Sequence, residues 1–201
     1  MHAVLTGDIV DSSALTGAEL NVTVFNLTLA LSQMKEWIGP FGFAQRAGDS
    51  WQVALRSSRH SLRVALLIRA HLRRHDGDRT TRIAVAEADG ALPEGALRDP
   101  NKAHGPAFTA SGRLLETLSD PVHMAHASGG ALDATWILAD RIAAGWTQAQ
   151  ARALCEMLPP DPGPRSAAAS RLGISRQAVD QALHAAGFPA LEAALTALET
   201  E

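Results

Sequence analysis

Apolar residues along the chain fall into blocks of two kinds, short continuous runs and longer stretches with helical spacing. Residues 2–6 form a short apolar run stopped by Gly7-Asp8, the pattern of a buried strand ending in a turn. Leu20, Val24, Leu27, Leu31, Met34 and Ile38 then recur at intervals of four and three, which puts them on one face of a helix ended by Gly39-Pro40. That face suits packing on a sheet or a dimer seam. Phe41 to Ala47 and Trp51 to Leu55 read as strands joined by the turn residues Gly48-Asp49-Ser50. Val64, Leu67, Ile68 and Leu72 mark a second helix, with Arg63, Arg69, Arg73 and Arg74 on its other faces. Thr81 to Ala88 is a strand, followed by a Gly/Pro-rich loop to His104. Gly105-Pro106 opens a third helix running to about Leu118, and a short strand spans Val122 to Ala127 before Gly129-Gly130.

Strand, helix, hairpin, helix, strand, helix, strand is the order of an α/β (α+β) sandwich of ferredoxin-like type with one addition. Beyond Ala131 the pattern is helical, broken once where Pro159-Pro160-Asp161-Pro162-Gly163-Pro164 cannot continue a helix. The expected organisation is an α/β domain over residues 1–130, a connecting helix over 131–145, and an all-α domain over 146–201.

Composition sharpens this picture. The 46% apolar content includes 38 alanines, the best helix formers, which points to several helices with small, closely packed faces. The 18 basic and 21 acidic residues give a net charge of −3, so bulk electrostatics do not advertise a polyanion-binding chain. A single cysteine excludes a disulfide framework and a multi-cysteine zinc site. No apolar run approaches a membrane span, and Met1-His2-Ala3-Val4-Leu5 lacks the form of a signal peptide. A soluble, cytoplasmic protein without a membrane partner is the expectation.

Two carboxylates carry the candidate chemistry of the first domain. Asp8 ends the first strand, and Asp49 lies in a hairpin whose strands should neighbour it. Such a pair at a sheet edge can hold Mg²⁺, whose shell is completed by phosphate oxygens and water. Taken singly, an Asp beside Gly at a strand end serves as a turn residue or a helix cap. Of His60, His71, His75, His104, His123 and His126, only His71 and His75 stand at a ligand-like spacing, and a solvated helix face explains that pair. Cys155 sits among Ala and Leu, as a small core residue does. No Ser-His-Asp arrangement or glycine-rich phosphate loop can be argued.

The order Gly7-Asp8-Ile9-Val10, helix, Arg46-Ala47-Gly48-Asp49 hairpin, helix, Arg82-Ile83-Ala84-Val85-Ala86 strand, Gly105-Pro106-Ala107-Phe108-Thr109 helix resembles the class III nucleotidyl cyclase domain over residues 2–127. The opening Gly7-Asp8-Ile9-Val10-Asp11-Ser12 is closer still to the SatD-like bacterial proteins, which look like divergent relatives of that fold. The resemblance implies that Asp8 and Asp49 stand at the metal-binding aspartates and Arg113 at the transition-state arginine. It also implies a nucleotide or another phosphate compound as ligand. The base-reading Lys and Asp of the cyclases are replaced by Gln45 and Lys102, and their Asn by Thr109. A cyclase fold without cyclisation is therefore expected, with Thr109 and Arg113 as relics.

In the second domain Ala168, Ala169, Leu172, Gly173, Ile174, Val179 and Ala182 occupy the apolar and tight-turn positions of a helix-turn-helix. Ser175 can cap the second helix, whose free face carries Ser175, Arg176, Gln177, Gln181 and His184, with Arg165 and Arg171 nearby. The segment resembles the recognition helix of bacterial regulators, including sigma-factor region 4. An ordinary helical hairpin is the competing reading. Double-stranded DNA is thus an expected partner, bound by a homodimer. Two function classes remain open: a DNA-binding transcriptional regulator with a degenerate sensory or dimerisation domain, and an Mg²⁺-dependent enzyme or binder of a phosphate compound. A protein-interaction module with both sites relict is a third.

Overall fold

The computed structural model describes residues 1–46 and 48–200. Ala47, expected to close a strand, and Glu201 lie outside the described residues. The elements run β1 (His2–Ile9), α1 (Gly17–Ile38), β2 (Phe41–Gln45), β3 (Trp51–Leu55), α2 (Ser61–His75), β4 (Thr81–Ala88), α3 (Pro106–Thr117) and β5 (Met124–His126). Five helices follow: α4 (Gly130–Ala144), α5 (Gln148–Met157), α6 (Arg165–Leu172), α7 (Arg176–Ala185) and α8 (Phe188–Thr200).

The strands form one mixed sheet in the order β2-β3-β1-β4-β5. Central β1 pairs antiparallel with β3 and β4, β2 pairs antiparallel with β3, and β5 runs parallel to β4. Alternation along β1 explains its continuous apolar character, because both faces are covered. Ala3, Leu5 and Ile9 join Trp51, Val53, Ile83 and Val85 beneath α1 and α2. Val4 faces the other way and packs with Ala54, Ala86, Ala96, Ala107 and Phe108 beneath α3 and its preceding loop. The loop lies so close to the sheet edge that a Cβ on Gly42 would meet the Ala96 carbonyl oxygen at 2.0 Å.

A capping box starts α1, with Thr16 accepting from Glu19 N–H while the Glu19 carboxylate takes the Thr16 N–H. Its inner face buries Leu27, Ala30, Leu31 and Met34, close to the expected stripe. A second face exposes Val22, Phe25 and Leu29. In α2 the expectation of an outward basic face fails. Arg63, Arg69 and His71 are all buried, because α1 covers one side of α2 and α4 and α5 cover another. Each buried arginine has a distant partner: Arg63 donates to Glu199 through Nε at 2.6 Å and Nη2 at 2.7 Å, and Arg69 donates to Asp140. His71 is likewise no solvated helix-face residue, at 3% exposure.

The change to all-helical structure comes at α4, yet the apolar core does not stop there. Trp136 and Ala139 of α4, Leu154 and Leu158 at α5, Val179 and Leu183 of α7, and Leu191 of α8 belong to the same buried cluster as the sheet and α2. Trp146 Nε1 donates to the Ala186 carbonyl at 3.0 Å, fastening the α4–α5 connection to the α7–α8 corner. Gly187 turns that corner at φ 72°, and a Cβ there would meet Ile142 Cγ2 at 2.9 Å. No described helix is long and apolar enough to cross a membrane.

Candidate functional sites

Asp8 and Asp49 lie at one end of the sheet, as the β1–β3 pairing requires. The antiparallel β1–β4 register sets Asp8 directly opposite Arg82. Arg82 Nε donates to Asp8 Oδ1 at 2.8 Å, Nη2 donates to Oδ2, and Nη1 donates to the Leu118 carbonyl at 2.7 Å. Both Asp8 oxygens are thereby committed to one guanidinium in bidentate geometry. Hydrogen bonding to Asp8 raises the Arg82 pKa above its ordinary value, against the opposing effect of burial, and the charges of Asp8, Asp49 and Asp120 add to the rise. Asp49 accepts a hydrogen bond from Ser12 Oγ.

These residues do not fit the Mg²⁺ expected between them. A divalent ion would have to displace Arg82 from Asp8, and the positive charge that balances the aspartates is already covalently part of β4. Among the described residues no group of three or more His, Cys, Asp or Glu side chains is arranged to hold a metal ion. Arg82 escaped the sequence reading, although an antiparallel pairing of residues 6–8 with 81–84 would have set opposite charges side by side.

The other positions matched to the cyclase pattern are dispersed around this end. Asn101 Nδ2 donates to the Gln45 carbonyl at 3.0 Å, which draws the turn bearing Lys102 towards the β2–β3 hairpin. Lys102 itself is exposed and pairs with Asp99 at 3.3 Å. Thr109 and Arg113 both lie on the exposed side of α3, one turn apart. Below them, Ser111 is buried and shares a 2.8 Å hydrogen bond with Thr6, which also accepts from Gln52 Nε2 at 3.0 Å. Thr6 and Ser111 therefore tie α3 to the sheet.

The second candidate site is the surface of α6 and α7. Gly173 ends α6 in the left-handed conformation (φ 67°, ψ 29°), and Ile174 N–H closes back on the Ala169 carbonyl at 3.1 Å. Ser175 caps α7, its Oγ accepting from Ala178 N–H at 3.1 Å. Ala168, Ala169, Val179 and Leu183 face inward onto α5. Ser175, Arg176, Gln177, Gln181 and His184 are all exposed along α7, with Arg165 and Arg171 exposed on α6. The basic groups are partly spent within the fold. Asp180 receives Arg165 at 2.8 Å and Arg176 at 3.5 Å, while Arg171 pairs with Glu156. The Arg165 hydrogen bond leads the interactions that hold the Asp180 carboxyl below its usual range.

Comparison with protein-family models, curated proteins and solved structures gives no match for the chain.

Proposed function

We propose that the chain is a DNA-binding transcriptional regulator. In this reading, α6 and α7 form a helix-turn-helix carried by a ferredoxin-like unit related to the SatD-like proteins. The observation that carries the proposal is the exposed polar face of α7, presented by a three-helix unit whose turn is made by a left-handed Gly173. Five of its side chains are types that bond phosphates or base edges. The strand order β2-β3-β1-β4, with α1 and α2 on one face, supports the sandwich reading of the first 126 residues.

From Gly145 onward four basic residues face six acidic ones, and Asp180 holds two of the four. Few phosphate contacts per protomer follow, with weak monomeric binding and a shallow salt dependence. A two-fold dimer doubles the contacts and reads half-sites about one helical turn apart. Selection of bound fragments from genomic DNA, followed by titration of the enriched duplex, tests the proposal. A palindromic duplex bound by a dimer is the expected product. The Mg²⁺-dependent enzyme finds no support in the geometry, because Arg82 occupies Asp8.

A further inference from the structure

At the end of the sheet opposite Asp8 lies a cavity of about 920 Å³. The first turns of α2 and α4, the end of β4 and the last turns of α8 meet there. Its wall is apolar where Leu62, Leu132, Trp136, Leu195 and Leu198 face it, and polar at three charged side chains, Arg59, Glu87 and Glu199. Glu199 is the least available of these, because Arg63 holds both its oxygens and His60 Nδ1 lies 3.0 Å away.

Glu87 is different. Its side chain is only 15% exposed, yet its nearest donors, Ser61 Oγ and His126 Nε2, both stand at 3.5 Å. Contacts of that length do not replace the water lost by a carboxylate. His126 is 3% exposed, and its Nε2 has no hydrogen-bond partner. Its Nδ1 is engaged by Ser128, with the N–H at 3.2 Å and Oγ at 2.9 Å. The wall therefore holds a mostly buried acid that lacks a close donor.

The same cavity is also built for an anion. Both α2 and α4 begin without a side-chain cap, and Ser61, Leu62, Ala131 and Leu132 from their first turns line it. Ser61 N–H is taken by the Ser58 carbonyl at 2.9 Å, so it is the remaining first-turn N–H groups and the positive ends of two helix dipoles that converge there, with the exposed Arg59 at the rim.

We infer that this cavity binds a small zwitterion with an apolar body, of the class of an apolar α-amino acid. The ammonium group donates to Glu87, the carboxylate meets Arg59 and the two helix starts, and the side chain covers the leucines. The site does not depend on the DNA-binding reading. Because α8 follows directly on α7 and forms one wall, the ligand would also bear on α7 if that helix contacts DNA.

The test is thermal denaturation of the full chain with L-leucine, L-methionine, L-phenylalanine and L-tryptophan at millimolar concentration. Two truncated analogues, 3-methylbutylamine and 4-methylpentanoate, accompany them. At least one amino acid should raise the melting temperature saturably by ~2 °C or more. Each truncated analogue should do markedly less, and both Glu87→Gln and Arg59→Ala should abolish the shift. Arg59 is exposed, so its variant reports on the site even if Glu87→Gln folds poorly. Four amino acids without effect on folded protein would overturn the inference. So would an analogue that shifts as much as its parent, or retention of binding by the variants.

Discussion

Arg69 of α2 and Asp140 of α4 form an ion pair whose side chains are only 3% and 4% exposed. The second oxygen of Asp140 accepts the backbone N–H of His123 at 2.7 Å, so one carboxylate joins α2, α4 and the entry to β5. Burial pulls the Arg69 pKa down, and Asp140 acts against it. Removing one partner leaves an uncompensated buried charge. Asp140→Ala should cost about 3–5 kcal/mol in urea unfolding. Replacing both residues, as Arg69→Met with Asp140→Leu, should cost much less than that single change, although His123 N–H still loses its acceptor. Equal losses would mean that the pair is not charge-coupled.

Arg82 does for Asp8 what a cation was expected to do. Mg²⁺ should therefore leave the melting temperature of the wild-type protein unchanged. Asp8→Asn should lower stability by about 1–3 kcal/mol with or without the ion, through loss of a charged bidentate contact. Stabilisation by Mg²⁺ that vanishes in Asp8→Asn would contradict this and restore the metal reading.

His71 gives the protein an acid-side weakness. Burial, reinforced by the charges of Arg74 and His75, pushes its pKa down to about 4. The unfolded chain then takes up a proton near its ordinary value of 6.5, which the folded chain refuses until about 4. Stability is full above that ordinary value and is lost as pH falls between the two. The loss approaches about 3 kcal/mol. Burial lowers His75 as well, in the same direction. Urea unfolding at neutral and mildly acidic pH should show this loss, and His71→Leu should flatten it. An unchanged slope in that variant would assign the pH dependence elsewhere.

Cys155 should be inert while the protein is folded. It is 8% exposed, and burial pushes its thiol up to about 12. A thiol reagent at neutral pH should label it only as fast as the chain unfolds, with urea accelerating both together. Rapid labelling without urea would show that α5 opens independently of the core.

How far these features can be read in advance depends on how local their causes are. The four-and-three spacing of α1, the Gly48-Asp49-Ser50 turn, the proline break before α6 and the Ser175 cap are written within a few residues of where they act. The fate of α2 is not. Its arginines look like a solvent face until Asp140, 71 residues on, and Glu199, 136 residues on, are known to meet them. Asp8 and Arg82 lie 74 residues apart, so their ion pair is visible only through strand register. The cavity that Glu87 lines is equally non-local, being assembled from β4 and three helix ends.

Binding of a genomically selected duplex reports on α7. The assay compares wild-type protein, Arg176→Ala and Gln177→Ala, each with its oligomeric state determined in the same buffer. The expected result is enrichment of a palindromic sequence, bound by a dimer with a shallow salt dependence. Arg176→Ala should weaken binding by about tenfold or more, while Gln177→Ala should relax sequence preference more than it lowers non-specific affinity. Folded, dimeric protein that enriches no sequence, or variants that bind as wild type does, would contradict it.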